Sequence, residues 1–493
     1  MSRTRRTIYY AILFAINAIE MVLELAASRV MSPYFGSSHY VWTAVIGIIL
    51  LAGCLGNLLG GRISEREGNH ALLSRLLFAS AVYVALICSL GSYILELVRT
   101  ALPGIRVGSV LSAILLFLLP SAVLGSVSPV VMGDLLRGHS ELGNTSGRIH
   151  AVMAAGSLLG TFAGGFWLLP AMGVRTVLLV LAACLMLIAL YYLLEQREHL
   201  PAIFFVIALL LIMHLSAGAA STGYERGVSI DTQYGRIVIQ DGTLPDGSPV
   251  RFYKQSGAYE SACYLDEGRR YDLVFNYTKA YDLAFDRHAD WDTTLMIGGA
   301  AYSYPKYYIS HYPNRTMDVV EIDSEATEIA KRYFFLQELL DEYDTSERLG
   351  LINNDGRVYL ADCGKTYDVV MNDAFSGENP VAVLSTVEAT RLVKEHLRPN
   401  GWYMSNVLGS VNGPESAFLL SEIRTLREVF AHVYLLPTVE GQSGDLFGNF
   451  MMIATDEDVR FENAFDCDVS HAIVLTDDYC PVDAMVGTSY FDG

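Results

Sequence analysis

The chain has 493 residues, a formal net charge of −19 and a mean hydropathy of +0.33, and 18% of its residues are charged. It is too long for one ordinary domain, and these values together indicate an apolar first half joined to a charged second half. No lysine precedes Lys254, and Asp and Glu become frequent after Tyr224. An acidic second half argues against a nucleic-acid partner, because phosphate contacts need a basic face. None of the 7 cysteines forms a C-x-x-C pair, so no metal site is expected.

The first 220 residues contain apolar runs that are long enough to cross a bilayer, which requires about 20 apolar residues in a helix. We therefore predict a multi-pass helical membrane domain with about seven spans. The first run is too long for a cleaved signal peptide, and further runs follow it. The predicted spans are Tyr9–Val30, Val41–Leu59, Leu76–Val98, Val107–Met132, Ile149–Met172, Val177–Leu194 and Ala202–Leu215.

Three ionisable residues, Glu20, Glu24 and Arg29, fall inside the first predicted span, where such groups are costly. Two interpretations stay open: a Glu–Arg pair that neutralises itself, and a polar cavity that admits a cationic or zwitterionic substrate. The arginines cluster at alternate ends of the spans, which favours a cytoplasmic location for those ends. Seven crossings would then leave the second half outside the cell. The second half is expected to bind a metabolic cofactor, however, and such a cofactor requires the cytoplasm. We expect an inner-membrane protein with a cytoplasmic catalytic domain.

The second half divides into two sections. Residues 221–288 begin with alternating, strand-like segments and a turn at Leu244-Pro245-Asp246-Gly247, which predicts a small antiparallel β unit followed by a helical stretch over Leu273–Ala284. Residues 289–493 alternate strands with helices, which predicts a parallel sheet covered by helices. The predicted strands of this section are Thr294–Ile297, Met317–Glu321, Asp368–Met371, Gly401–Asn406 and Phe450–Ala454.

A nucleoside site is predicted from three features in chain order. Gly298-Gly299 follows the first strand of the parallel section, and Glu321 ends the second strand about 20 residues later, where a ribose-binding carboxylate belongs. Asn354-Asp355-Gly356 adds a further acid in a polar turn. The glycines allow the backbone to approach a ligand, and the Glu321 carboxylate can accept hydrogen bonds from both ribose hydroxyls. The missing G-x-G-x-x-G speaks against a pyrophosphate cofactor such as NAD.

These residues resemble the spermidine synthase family, specifically its membrane-fused branch. The matching segments are Gln233-Tyr234-Gly235-Arg236-Ile237, Val320-Glu321-Ile322-Asp323, Asn354-Asp355-Gly356, Asp373-Ala374-Phe375-Ser376-Gly377 and Leu475-Thr476-Asp477-Asp478-Tyr479. The resemblance implies a β unit plus a Rossmann-like, methyltransferase-type domain. It also implies an aminopropyltransferase whose substrate is decarboxylated S-adenosylmethionine, or S-adenosylmethionine itself, and which releases 5′-methylthioadenosine.

The resemblance also assigns roles to individual residues. Asp373 and Tyr234 match the family's catalytic aspartate and tyrosine beside the attacking amine. A carboxylate partnered by a tyrosine hydroxyl can orient an amine and take its proton. Glu321 would hold the ribose and Asp355 would face the adenine. The full set expected to bind the adenosine part is Gly298, Gly299, Glu321, Asp323, Asp355, Gly356 and Gln233.

Two departures from the family pattern concern acids that grip a cationic substrate. Ala301 stands where family members carry an aspartate in the glycine turn, and Ser376 stands where they carry a second aspartate after the catalytic one. The adenosine half of the site is therefore kept while the amine half is altered, so the acceptor is a polyamine, another amine, or none if the cofactor cleaves itself.

Two other functions stay open on the sequence. One is a methyltransferase of the same fold, which would not need Tyr234 and Asp373. The other is a transporter or sensor whose second half only binds a nucleoside, with Glu20 and Glu24 as its support. The expected partners are a small-molecule amine or none and the lipid bilayer, without nucleic acid. A homodimer stays open as an alternative to the monomer.

Overall fold

The structure is a computed structural model, and it describes residues 3–35, 39–65, 69–102, 105–136, 142–195, 227–255, 257–343, 345, 347–376 and 379–486. The chain divides into two compact units, Met1–Tyr224 and Glu225–Gly493.

The first unit is a bundle of long apolar helices. Within the described residues, six helices are long and apolar enough to cross a membrane, judged by length and composition. Each overlaps one of the first six predicted runs, although the fifth run, Ile149–Met172, continues past the end of its span at Leu168. The seventh run, Ala202–Leu215, lies outside the described residues, so the span count stays a prediction. The α-helices are α1 (Arg3–Phe35), α2 (His39–Ser64), α3 (Asn69–Ala101), α4 (Ile105–Ala113), α5 (Leu119–Leu136), α6 (Leu142–Ala163) and α7 (Leu169–Glu195). Two π-helical turns, Ile114–Leu118 and Gly164–Leu168, follow α4 and α6.

Glycines allow helices of the bundle to approach one another closely. A Cβ atom on Gly56 of α2 would lie 2.3 Å from the Ala122 carbonyl oxygen of α5, and one on Gly160 of α6 would lie 2.4 Å from the Ala18 carbonyl oxygen of α1. Only a residue without a side chain allows these backbone contacts. Small residues at such spacing let helices pack in lipid, where no hydrophobic force drives them together.

The second unit begins with a four-stranded antiparallel sheet in the order β1-β2-β3-β4. β2 and β3 flank the predicted turn and pair along their whole length, from Ile237 opposite Gln255 to Thr243 opposite Pro249. The predicted helical stretch after this sheet is broken into short pieces, Asn276–Lys279, Ala280–Asp282 and Leu283–Arg287. The strands are β1 (Gly227–Asp231), β2 (Arg236–Thr243), β3 (Pro249–Gln255) and β4 (Ala258–Tyr264).

A seven-stranded sheet follows, in the order β12-β13-β11-β8-β5-β6-β7. The prediction of a wholly parallel sheet is wrong, because β13 runs antiparallel to both β11 and β12. The five strands from β11 to β7 are parallel and form the Rossmann-like part. The strands are β5 (Thr293–Ile297), β6 (Thr316–Glu321), β7 (Leu349–Asn353), β8 (Tyr367–Asn372), β11 (Leu397–Gly409), β12 (His432–Pro437) and β13 (Gly448–Thr455), and a hairpin of β9 (Phe375–Ser376) and β10 (Asn379–Pro380) follows β8.

Helices cover the two faces of this sheet, and their apolar sides form its core. The helix α15 (Ala417–Arg427) illustrates the arrangement, because Leu419, Ile423 and Leu426 are buried along one side of it. Apolar residues at this spacing form one stripe along a helix. The longer helices are α10 (Ser303–His311), α11 (Ser324–Tyr333), α12 (Leu336–Glu342), α13 (Gly356–Asp362), α14 (Val387–Glu395) and α15 (Ala417–Arg427), with α8 (Asn276–Lys279) and α9 (Leu283–Arg287) before them and α16 (Val482–Met485) after them.

Candidate active site

The glycine turn lies where β5 ends, at the carboxyl edge of the parallel strands. Gly298 has a φ of +93°, and its N–H donates to the Val320 carbonyl of β6 at 2.9 Å. A Cβ atom on Gly298 would lie 2.5 Å from the Asp373 carbonyl oxygen after β8. Both the left-handed backbone and this close approach require glycine. The turn therefore lies directly against the segment that carries the predicted catalytic acid.

Glu321 lies at the end of β6 and binds the turn through backbone donors. Its Oε2 accepts hydrogen bonds from the N–H groups of Gly299 at 2.8 Å and Ala300 at 3.0 Å, and its Oε1 accepts one from Asp323 at 2.9 Å. Burial raises the pKa of Glu321, and the three N–H donors oppose that rise. Oε2 already accepts two hydrogen bonds, whereas Oε1 accepts one and keeps a second lone pair, which leaves capacity for a ribose hydroxyl. The structure thus places Glu321 against the predicted glycines.

Asp323 links this edge of the sheet to the β unit. Its carboxylate begins α11 by accepting from the Glu325 N–H at 3.0 Å, and it also accepts a hydrogen bond from the Thr232 hydroxyl. Thr232 in turn accepts from the Tyr234 N–H at 3.2 Å and so holds the turn that contains Gln233. The predicted residues Gln233, Tyr234 and Asp323 therefore lie together, on the side of the site where Glu321 lies.

Asp355 lies one strand further along the sheet, after β7. Its Oδ1 accepts from the N–H groups of Arg357 at 2.7 Å and Val358 at 3.2 Å, so it is the N-cap of α13. A Cβ atom on Gly356 would lie 2.5 Å from Cγ2 of Ile297, the last residue of β5. The Asp355 segment therefore packs against the strand that precedes the glycine turn.

Asp373 follows β8, beside the glycine turn. Its Oδ1 accepts a hydrogen bond from Nδ2 of Asn406 at 3.0 Å, and its carboxylate also contacts the Tyr277 hydroxyl. Burial raises its pKa from 3.8 to about 6, against the lowering effect of these two contacts. A carboxylate with a pKa near neutrality is suited to accept and release a proton.

The tyrosine beside Asp373 is Tyr277, which the sequence prediction missed. Tyr277 comes from α8, and burial together with the Asp373 charge raises its pKa strongly. Tyr234, the predicted partner, is 45% exposed, and the acids that raise its pKa after burial are Asp323, Asp355 and Glu321. The structure thus places Tyr234 on the side of the site where Glu321 and Asp355 lie. Asp373 and Tyr277 lie about 100 residues apart in the chain, so no local motif joins them.

A buried polar cluster lies behind Asp373 on the neighbouring strands. Asn372 and Ser405 face each other across β8 and β11, with Asn372 Nδ2 donating to Ser405 Oγ at 3.4 Å. Glu422 of α15 is only 3% exposed and hydrogen-bonds to Ser405. Burial raises its pKa from 4.5 to about 8, so Glu422 is a neutral acid at pH 7. This cluster was not recognised in the sequence, where Glu422 looks like an ordinary helical glutamate.

Ala301, which replaces the expected acid in the glycine turn, is fully buried. An aspartate placed there would enter an apolar environment, in which an unpaired charge is costly. The second departure, Ser376, lies in the β9–β10 hairpin, opposite Asn379. The apolar neighbours of Ala301 are Ile237, Ile239, Tyr253, Cys263, Ala326, Ile329 and Phe334.

Comparison with known sequences confirms the resemblance noted above. Residues 284–462 match the spermine/spermidine synthase domain family. A polyamine aminopropyltransferase from Vibrio vulnificus is 28% identical over 188 residues, which are 38% of this chain and 59% of that protein. One from Hyperthermus butylicus is 30% identical over 141 residues, or 45% of its length. A third, from Oceanobacillus iheyensis, is 23% identical over 421 residues, or 82% of this chain and 78% of that protein.

Solved structures of spermidine synthases also align with this chain. A probable spermidine synthase from Corynebacterium glutamicum aligns over 49% of this chain and 84% of its own, with 22% identity and a TM-score of 0.40. The spermidine synthase from Thermotoga maritima aligns over 48% of this chain and 75% of its own, with 18% identity and a TM-score of 0.36.

Proposed function

Because the C-terminal part of the chain carries a spermine/spermidine synthase domain, we propose that the protein is an aminopropyltransferase-like enzyme that releases 5′-methylthioadenosine. Its sulfonium substrate is decarboxylated S-adenosylmethionine, with S-adenosylmethionine as the alternative. The main support is the placement of Asp373, an acid with a pKa of about 6, against the glycine turn of a nucleoside-type site.

In the proposed reaction the lone pair of an acceptor amine attacks the alkyl carbon bonded to the sulfonium. The new C–N bond forms as the C–S bond breaks, and the bonding pair returns to sulfur, which gives 5′-methylthioadenosine. The amine loses one proton, which Asp373 accepts. Because the sulfonium is already an activated leaving group, holding the reactants together supplies much of the rate enhancement.

The main residues of the site have separate tasks in this proposal. Glu321 accepts a hydrogen bond from a ribose hydroxyl at Oε1 while the Gly299 N–H keeps its carboxylate in place. Asp355 lies beside the adenine, and Tyr277 orients the amine together with Asp373. Tyr234 lines the adenosine side instead of the acceptor side.

The test is to incubate the purified full-length protein with each form of the sulfonium, with and without putrescine, and to identify the products by mass spectrometry. Methylthioadenosine together with an enlarged amine supports the proposal. Methylthioadenosine without any acceptor indicates internal cleavage of the sulfonium. S-adenosylhomocysteine and a methylated amine would show a methyltransferase and overturn the proposal.

We further propose that the bundle crosses the cell membrane six times, instead of the seven times predicted from the sequence, and that the second unit faces the cytoplasm. In an antiparallel set of six crossings, the start of α1 and the end of α7 lie on one side of the membrane, and Arg5, Arg62 and Arg75 lie toward that side. Lysines and arginines favour the cytoplasmic side. A membrane-impermeant thiol reagent tests this: a cysteine introduced at exposed Glu267 should react only after the cells are lysed.

A further inference from the structure

A β-bulge in the β unit sets Glu260 apart from its neighbours on β4. β3 and β4 pair with Tyr253 opposite Ser261 and Lys254 opposite Tyr259, so the register shifts between these two pairs. Glu260 is the extra residue and has no residue opposite it on β3. Bulges occur next to active sites, where they re-aim a side chain. The position of Glu260 is therefore specified by an irregularity in an otherwise regular sheet.

Contacts on both sides of this bulge tie Glu260 to the active site. Its backbone carbonyl accepts a hydrogen bond from the Tyr277 hydroxyl at 3.1 Å, and Tyr277 also contacts Asp373. The Oγ of the next residue, Ser261, lies 2.7 Å from the Oγ of Ser303, which starts the helix after the glycine turn. Glu260 thus lies where β4 meets both the turn and the catalytic acid.

The Glu260 carboxylate is partly buried beside two tyrosines. Its Oε1 is shielded from solvent. After burial, the charges that raise the pKa of Tyr277 are Asp373 and then Glu260, and those that raise the pKa of Tyr253 begin with Glu260 and Glu321. The Glu260 charge therefore acts both on Tyr277, which contacts Asp373, and on Tyr253, which is buried in the cluster that contains Ala301.

We propose that Glu260 binds the ammonium group at the end of the alkyl chain of the sulfonium substrate. This inference rests on the proposed function. If Glu321 holds the ribose and the attacked carbon faces Asp373, the rest of the alkyl chain extends beyond that carbon to the ammonium. Glu260 lies in this region, because Tyr277 contacts both its backbone and Asp373. A shielded carboxylate gains a charge-assisted hydrogen bond when an ammonium arrives. Glu260 thereby takes the role that an aspartate at position 301 would have.

The test compares three ligands on the full-length protein by calorimetry. Decarboxylated S-adenosylmethionine has the sulfonium and the ammonium, 5′-deoxy-5′-dimethylsulfonioadenosine has only the sulfonium, and 5′-methylthioadenosine has neither. In Glu260→Gln we expect affinity for the first ligand to fall about 10- to 100-fold, as for a lost charged contact. Affinity for the other two should stay within about 2-fold, because the adenosine contacts are untouched.

The control variant is Glu267→Gln, which removes a nearby glutamate whose side chain is 90% exposed. It should leave all three affinities unchanged. If Glu260→Gln lost affinity equally for all three ligands, Glu260 would have a structural role and the inference would be overturned. Unchanged affinity for all three ligands would also overturn it. If Glu260→Gln loses affinity only for decarboxylated S-adenosylmethionine but the wild-type protein forms no methylthioadenosine, the proposed reaction is overturned while the ammonium site is supported.

Discussion

Glycine has a different role in each of the two compact units. In the bundle, Gly56 and Gly160 allow backbones of neighbouring helices to touch, and spacing along a single helix indicates such positions. In the second unit, Gly298 adopts a φ of +93° and lies against Asp373, which is 75 residues away in the chain. The packing positions of the bundle can therefore be recognised from the spacing of residues within one helix. The active site cannot, because the order of strands in the sheet decides which residues meet there.

The largest expected effect is on the chemistry at Asp373. Asp373→Asn keeps an oxygen for the Asn406 amide but removes the proton acceptor, so we expect kcat to fall roughly 10²- to 10⁴-fold. Wild-type activity should also fall about tenfold per pH unit below pH 6, since protonation through a pKa of about 6 removes the base.

Formation of methylthioadenosine, followed by chromatography across pH 5–8, measures both effects. Affinity for 5′-methylthioadenosine serves as the control and should be unchanged, because Asp373 lies on the acceptor side of the site. If Asp373→Asn had wild-type turnover at pH 7, Asp373 would not be the base of the reaction, and the altered amine half of the site would have no assigned base.

The second prediction tests the other side of the comparison, the backbone contacts of the bundle. Gly56→Val places atoms where even a Cβ would lie 2.3 Å from the Ala122 carbonyl oxygen, whereas Gly61 has no atom within 4 Å of its Cβ position. We expect Gly56→Val to destabilise the bundle by about 3 kcal/mol through overpacking. Gly61→Val is the matched control and should be close to wild type. Thermal unfolding in detergent measures both, and equal midpoints would contradict the packing role of Gly56.

Much of the architecture could be predicted from the sequence. Six apolar runs correspond to described helices, and the strands that end at Ile297 and Glu321 were recognised with the acid at the end of the second. Periodicity and composition are local properties, so they show elements of this kind. The antiparallel β13 was not foreseen, because the direction of a strand is set by its partners and leaves little trace in its own sequence.

The site could be predicted only in part, for a related reason. Glu321, Asp355 and Asp373 each end or follow a strand, and the structure places them at the ends of β6, β7 and β8 in one sheet. The sequence showed the strand end at Glu321 but not the order of the strands. Tyr277 and Glu260 come from the β unit and reach the site only when that unit docks on the sheet. A family motif led to Tyr234, a tyrosine in a recognisable segment, and away from the tyrosine that contacts Asp373.

The third prediction separates these two tyrosines. Tyr277→Phe removes the hydroxyl beside Asp373, so we expect kcat to fall about 10- to 100-fold with little change in affinity for methylthioadenosine. Tyr234→Phe, on the exposed adenosine side, should change kcat less than about 3-fold. Steady-state kinetics on both variants makes the comparison, and a greater kcat loss in Tyr234→Phe would restore the pairing predicted from the motif.

The smallest effect concerns the acid buried behind the site. Burial raises the pKa of Glu422 from 4.5 to about 8, so the folded protein keeps this side chain neutral. Between these two pH values Glu422 ionises in the unfolded chain but not in the folded protein, so the free energy of unfolding falls as pH rises. Glu422→Gln stays neutral and escapes this loss. The free energy of unfolding of the variant, relative to wild type, should therefore increase by about 1.4 kcal/mol from pH 6 to pH 7. Chemical denaturation of both proteins at the two pH values measures this difference. If the difference in free energy of unfolding between the two proteins did not change with pH, Glu422 would be ionised in the folded protein and would have a cationic partner. The buried cluster behind Asp373 would then be charged, as the surface of the unit is, and not neutral.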